Sequence, residues 1–356
     1  MSTSRPAVQP WATKTRALRP QIFVAAVVPI AVSLLVMMLT GIDFSIALLG
    51  VFLPLQLAAA AFVGFKNFKF RGVKDAALMV FVYFFSALVF VLLLSVLFSV
   101  ITKGFEAMSP QFIYQNNRYV SNVTSLEYGG VGHAILGTLL IVLLTTIVAV
   151  PLGIAMGVYL TQSQAKHLGI VRTITQALSG LPSVVAGLFI LAMMPLLGLE
   201  RSGLTGALAL FPLMLPTVAR VAEESLKLVP SDLRYAALAL GAPNYRAFFQ
   251  VILPAAKSGI VTAILLGLAR VVGETAPLIL TLNANNTTNL NPFAGGIATL
   301  PTYVYSFLGS GYEPSQQRAW GGALVLLILV GILFTAARVL TRKKALTKKP
   351  KGKKNK

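Results

Sequence analysis

The chain has 356 residues, 56% of them hydrophobic and 11% charged, with a mean hydropathy of +0.80. A soluble chain carries about 25% charged residues, so this is an integral membrane protein. The absence of cysteine excludes disulfides, thiolate metal sites and a cysteine nucleophile. The net charge of +20 would suit nucleic acid if the cations formed one patch, but their placement along the chain fits a bilayer and no nucleic acid.

A helical span needs about 20 mostly apolar residues. Eight runs qualify in chain order: 21–40, 44–65, 76–101, 133–160, 173–199, 204–221, 258–282 and 320–340. They are continuously apolar rather than alternating, which predicts helices and not a β-barrel. Pro212 and Pro216 interrupt the sixth run, which membrane helices tolerate when neighbours satisfy the freed backbone groups. The first run follows a polar segment and lacks an A-x-A-like cleavage site, so it is expected to stay as a span.

Cytoplasmic loops are rich in Lys and Arg. With the N-terminus inside, cations cluster on the inside at Arg5–Arg19, Lys66–Lys74, Lys166–Arg172, Arg220–Lys257 and Arg338–Lys356, and on the outside stand Lys103, Arg118, Arg201 and Arg318. Both termini are therefore expected in the cytoplasm. The Lys-rich tail reads as a topology signal that also touches anionic lipid. The long outside loops, 102–132 and 283–319, hold tyrosines suited either to an external partner or to an interfacial aromatic belt. His133 and His167 are far apart and read as interfacial residues, not metal ligands.

The longest inside loop, 223–257, does not look like a plain linker. Ser231 is expected to cap a helix over 232–240, Gly241 to end it, and Pro243 to open a second short helix. Leu233, Ala236, Ala237 and Leu240 form an apolar stripe. Such a hairpin can fill a groove on a soluble partner or pack on its own bundle.

Tyr235-Ala236-Ala237, then Gly241, then Val251-Ile252-Leu253-Pro254 resemble the EAA loop of ABC-transporter permeases, with Tyr235 in place of the commonest glutamate and Val251 in place of isoleucine. Residues 181–187 (LPSVVAG), 220–224 (RVAEE) and 269–277 (ARVVGETAP) resemble the phosphate-specific permeases of PstA type. The resemblance covers roughly 132–342, with the 76–101 run completing a six-helix core. It implies an all-α, polytopic helix bundle of the type I ABC importer permease fold. The expected organisation is a two-helix extension over 1–66, a permease core over 67–342 with its coupling loop at 223–257, and a basic tail over 343–356. The resemblance further implies a plasma-membrane subunit of a bacterial phosphate importer. Its implied partners are a homologous PstC-type permease, a PstB-type ATPase dimer docked on the EAA loop and an external PstS-type phosphate-binding protein.

One span carries Arg270 and Glu274, four residues apart and hence on one helical face. A mid-bilayer charge costs roughly 2.5–3.5 kcal/mol, so the pair faces a bundle interior or a wet cavity. It is either a structural ion pair or part of an anion path, in which the guanidinium fork grips an oxyanion. In the second case Glu274 can accept the proton of hydrogen phosphate and repel sulfate. Arg220 is either a second path residue or the partner of Glu223 or Glu224 at a helix end. The resemblance favours path roles for both arginines. Gly267 and Gly273 suit close helix approach, and Pro277 suits a kink.

No G-x-x-x-x-G-K-[ST] phosphate cradle occurs. The chain is therefore expected to be a transport subunit without a cofactor of its own, with ATP and Mg bound by the partner ATPase. Three alternatives stay open: a permease for another solute, a membrane enzyme acting on lipid phosphate, and a secondary transporter. The enzyme lacks a convergent set of acid, base or metal ligands, and the secondary transporter should show inverted repeats and no docking loop.

Overall fold

A computed structural model describes residues 10–163 and 165–341, which form helices and loops and, among the described residues, no strand. The basic tail, 343–356, lies outside the described residues. In chain order the helices are α1 (Pro10–Thr40), α2 (Phe44–Glu106), α3 (Pro110–Tyr114), α4 (Gly132–Gln162), α5 (Leu168–Ser179), α6 (Ser183–Leu197) and α7 (Gly203–Lys227). They continue with α8 (Ser231–Ala239), α9 (Asn244–Ala255), α10 (Lys257–Val272), α11 (Ala276–Thr281), α12 (Leu300–Leu308) and α13 (Glu313–Thr341).

Five of these are long and apolar enough to cross a membrane, and two bent pairs raise the number to seven. The 63 residues of α2 would stretch about 95 Å as one straight rod, three times the hydrocarbon thickness. The helix instead breaks at Phe68 and Lys69, and Lys69 takes the left-handed φ of 52°. Beyond the break the chain turns back, so that a Cβ on Gly64 would stand 2.3 Å from the carbonyl oxygen of Gly72. Two glycines let the arms touch where any side chain would hold them apart. Counting both arms brings the number to eight, as the hydropathy pattern predicts, although the second bent pair takes in 244–272 where the pattern places its span at 258–282.

The chain forms two compact units, Met1–Leu97 and Phe98–Lys356. In the first, α1 lies along the first arm of α2, tied by Gln56 Nε2 to the Ala25 carbonyl (3.2 Å) and by Asn67 Nδ2 to Gln21 Oε1 (3.0 Å).

The second unit is built around α7. Leu210, Met214, Val218 and Ala222 of this helix form a buried cluster with Ile141 and Ala149 of α4, Ala186 of α6 and Ile260, Ala263 and Val271 of α10. Close approach explains the glycines on the flanking helices. A Cβ on Gly153 would meet Val218 Cβ at 2.8 Å, one on Gly157 the Ala219 carbonyl at 2.9 Å, and one on Gly267 Val218 Cγ2 at 2.6 Å. Gly153 and Gly157 form a G-x-x-x-G pair, which brings backbones together in lipid. Despite Pro212 and Pro216, α7 is continuous. A second cluster of Phe112, Val131, Ala134, Leu300, Tyr303 and Phe307 closes the end that carries the long loops.

Two large polar side chains at this end are buried. His133 is 3% exposed and stacks edge-on to Tyr303 at 5.8 Å. Arg318 is fully buried and donates to the carbonyls of Thr124 (2.7 Å), Ser125 (2.6 Å) and Tyr128 (2.9 Å), pinning the loop before α4 onto α13.

Candidate translocation and coupling site

The span that carries Arg270 is not one helix. α10 ends at Val272, residues 273–275 are irregular, and α11 starts at Ala276 with Pro277 in its first turn. Pro277 therefore does not kink a helix; it opens a new one, where its missing N–H costs nothing. Arg270 and Glu274 still form an ion pair, with the Arg270 side chain 41% exposed and that of Glu274 12% exposed. Arg270 belongs to an exposed stripe along α10 that includes Ser258, Thr262 and Leu266. Gly267 packs on α7 as expected, whereas Gly273 has open space where a Cβ would stand.

A second break adjoins the first. The 173–199 run divides at Gly180–Pro182 into α5 and α6, which meet at 103°. Gly187 of α6 comes so close to α11 that a Cβ there would lie 2.7 Å from Pro277 Cα. The 181–187 and 269–277 strings, ninety residues apart in sequence, thus meet at their helix breaks.

Arg220 is exposed on α7 and makes no ion pair among the described residues. Its proposed partner Glu223 is engaged elsewhere, with Arg172 Nη2 at 3.0 Å and Lys227 Nζ at 2.6 Å. The helix-end pair of Arg220 with Glu223 is therefore overturned. Arg172 is a residue the pattern missed: it sits 51 positions from Glu223, and no local signal links residues at that separation. The pair ties α5 to α7 beside the 223–257 loop.

The loop folds as two short helices at roughly the expected places. Ser231 is the first residue of α8 and not its cap; Pro230 takes that position. Gly241 ends the helix with φ +81°. Its N–H donates to the Leu238 carbonyl (2.9 Å) and that of Ala242 to the Ala237 carbonyl (3.1 Å), the paired bonds of a Schellman motif. A residue with a Cβ is strained at this φ, which gives the glycine of the 235–254 string its physical reason. Of the apolar stripe, Leu233, Ala236 and Leu240 face outward, and Ala237 turns into the protein. Tyr235 (65% exposed), Tyr245 and Phe249 widen this outward apolar surface. Val251 and Leu253 are half-buried and Pro254 is exposed, just before a 68° bend into α10. Arg234 Nη1 holds α8 to the end of α4 through Gln162 Oε1 (3.0 Å).

Residues 149–345 match the family of binding-protein-dependent transport system inner membrane components. The chain belongs to this family. Similar relatives include the phosphate transport system permease protein PstA 1 of Mycobacterium tuberculosis (strain CDC 1551 / Oshkosh), 38% identical over 76% of this chain and 89% of its own length. The PstA protein of Yersinia pestis is 37% identical over 71% of this chain and 84% of its own length. Among solved structures, the inward-facing MetNI methionine ABC transporter covers 66% of this chain and 100% of its own, with 21% identity and a TM-score of 0.48. As an inner membrane component of a binding-protein-dependent system, the chain is a multi-pass, all-α transport subunit. In this inner membrane component the matched region begins within α4 and includes both broken spans and the 223–257 loop.

Proposed function

We propose that this chain is the PstA-type permease of an ATP-driven phosphate importer, and that Arg270, Glu274 and Arg220 line its translocation path. The observation that carries the reading is the Arg270–Glu274 pair, set at a helix break with its guanidinium on an open face of α10. A pair meant only for structure gains little over apolar packing and has no need of a half-exposed cation. An anion passing between this chain and a homologous PstC-type permease meets the guanidinium fork. Glu274 then accepts a hydrogen bond from hydrogen phosphate and repels a fully deprotonated oxyanion.

The outward apolar surface of α8 and α9, with Tyr235, Ala236, Leu240, Gly241 and Pro254, seats on a PstB-type ATPase dimer that binds ATP and Mg. Ala237, Val251 and Leu253 support that surface from within. A PstS-type binding protein delivers phosphate from outside, and both termini lie in the cytoplasm. Family membership and the PstA relatives support this reading.

Uptake assays test the path. Arg270→Gln keeps the shape and removes the charge; we expect phosphate uptake to fall at least about a hundredfold, since charge-assisted bonds are roughly twice as strong as neutral ones, while the complex still assembles. Arg270→Lys should fail as well, because a point charge does not replace a planar fork. Glu274→Gln should admit sulfate or lower phosphate turnover. Normal uptake by Arg270→Gln would end the path reading. Orientation is tested by Ser231→Cys and Ser310→Cys with an impermeant thiol reagent on intact cells: only Ser310→Cys should label, and labelling of Ser231→Cys would overturn it.

A further inference from the structure

The N-terminal unit contains a groove of about 420 Å³ between α1 and the first arm of α2. Its walls are Val24, Ala25 and Val28 on one side and Ala59, Phe62 and Val63 on the other, and Lys66 closes one end. The helices run antiparallel here, so the groove extends from the level of Pro20 and Lys66 to that of Val28 and Ala59. Eight residues of helix rise about 12 Å, close to the depth of one leaflet of a bilayer whose hydrocarbon core is about 30 Å thick. The Gln56 and Asn67 hydrogen bonds hold the two walls together along this length. The turn at the lysine end adds Lys69, Arg71 and Lys74 against the single acid Asp75. None of these four cations has an ion pair among the described residues.

We propose that this groove binds one anionic phospholipid of the cytoplasmic leaflet, with an acyl chain along Val24, Val28, Phe62 and Val63 and the headgroup phosphate on Lys66. An apolar channel of one-leaflet length fits an acyl chain, and a cationic mouth at its interfacial end selects the headgroup. A soluble phosphate would gain nothing from the apolar walls, so the lipid is the occupant. The choice of leaflet rests on the orientation given above; the choice of lipid class does not, and neither depends on what the protein transports.

The test counts lipid retained by the full complex after exchange into micelles with equal phosphatidylglycerol and phosphatidylethanolamine, read by native mass spectrometry. Wild type should retain phosphatidylglycerol in preference. Lys66→Gln should lower that retention about fivefold, the worth of one interfacial lysine, and leave phosphatidylethanolamine unchanged. Ala59→Trp, which fills the groove, should displace both lipids, and excess inorganic phosphate should displace neither. Equal retention of the two lipids by wild type, unchanged phosphatidylglycerol in Lys66→Gln, or release of lipid by free phosphate would each overturn the proposal.

Discussion

The first three spans and α7 use apolarity in opposite ways. The 20–40 span and the α2 hairpin reach a mean hydropathy of 2.8, yet only 17% and 0% of their most apolar windows are buried within the chain. α7 reaches only 1.6, and 61% of its window is buried. In water the most apolar helix would be the innermost. In lipid the driving force is absent, because acyl chains are as apolar as leucine, and association depends on close packing and hydrogen bonds. The large side chains Phe62, Phe90 and Leu93 are exposed on α2, where close contact is confined to Gly64–Gly72 and the Gln56 and Asn67 ties, whereas α7 is met by glycines and by polar ties along its length. One is Thr205 Oγ1 donating to the Thr281 carbonyl at 2.9 Å. Buried polar residues follow the same division: Asn117, His133, Thr138, Thr145 and Arg318 are buried in the second unit, while Ser33 stands for the first.

The sharpest way to break this comparison is with paired glycine substitutions. Gly267→Leu forces a side chain into Val218, already 2.6 Å from where its Cβ would stand. We expect a loss of about 1–3 kcal/mol or more, seen as a fall in folded yield in fluorescence-detected size exclusion. Gly50 of α2 has nothing nearer than Ile46 Cγ2 at 3.9 Å, so Gly50→Leu should leave the yield unchanged. Equal damage from both would show that the first unit is packed as tightly as the second.

A smaller effect separates apolar surface that meets protein from apolar surface that meets lipid. Leu240 is 89% exposed at the end of α8, where it touches little of its own chain. Leu240→Asp should therefore leave the subunit folded and cost several kcal/mol only where the unpaired charge enters an interface. Phosphate-stimulated ATPase activity should be lost and the yield kept; intact coupling would remove Leu240 from the docking surface.

The smallest effect concerns the buried polar groups of the second unit. Burial pushes the Tyr303 phenol up from 10.0 to about 12, against weaker opposing effects of Asn117 and Arg318. Below pH 10 both folded and unfolded chains keep the proton and stability is unaffected. As pH rises through 10 the unfolded chain loses its proton first, so stability falls, by roughly 2–3 kcal/mol at pH 12. Tyr303→Phe should flatten this alkaline decline in thermal unfolding, and an identical decline in the variant would place its cause elsewhere.

Spans, charge asymmetry and the two short helices of the 223–257 loop were legible because each rests on local patterns: a run of apolar residues, a count of cations, a glycine with nine residues of helix before it. Gly241 shows how far such reading goes, since the position demands a left-handed φ that few other residues accept. Arg270 and Glu274 were legible as a pair because four residues separate them. Their helix was not legible as broken. An apolar run has the same hydropathy whether it is straight or bent, and the breaks at 180–182 and 273–275 became visible only in three dimensions.

The sequence by itself thus determined that this protein is an all-helical membrane chain with eight apolar runs, a charge bias and a two-helix loop over 223–257, because bilayer thickness and backbone satisfaction leave helices as the solution for continuous apolar runs. Tertiary structure alone decided that α7 is the axis of the second unit, that Glu223 answers Arg172 and not Arg220, and that His133 and Arg318 are buried. The physical reason is that these outcomes depend on which helix faces meet. In lipid that choice follows from the fit of small residues and single hydrogen bonds between distant segments, which hydropathy does not encode.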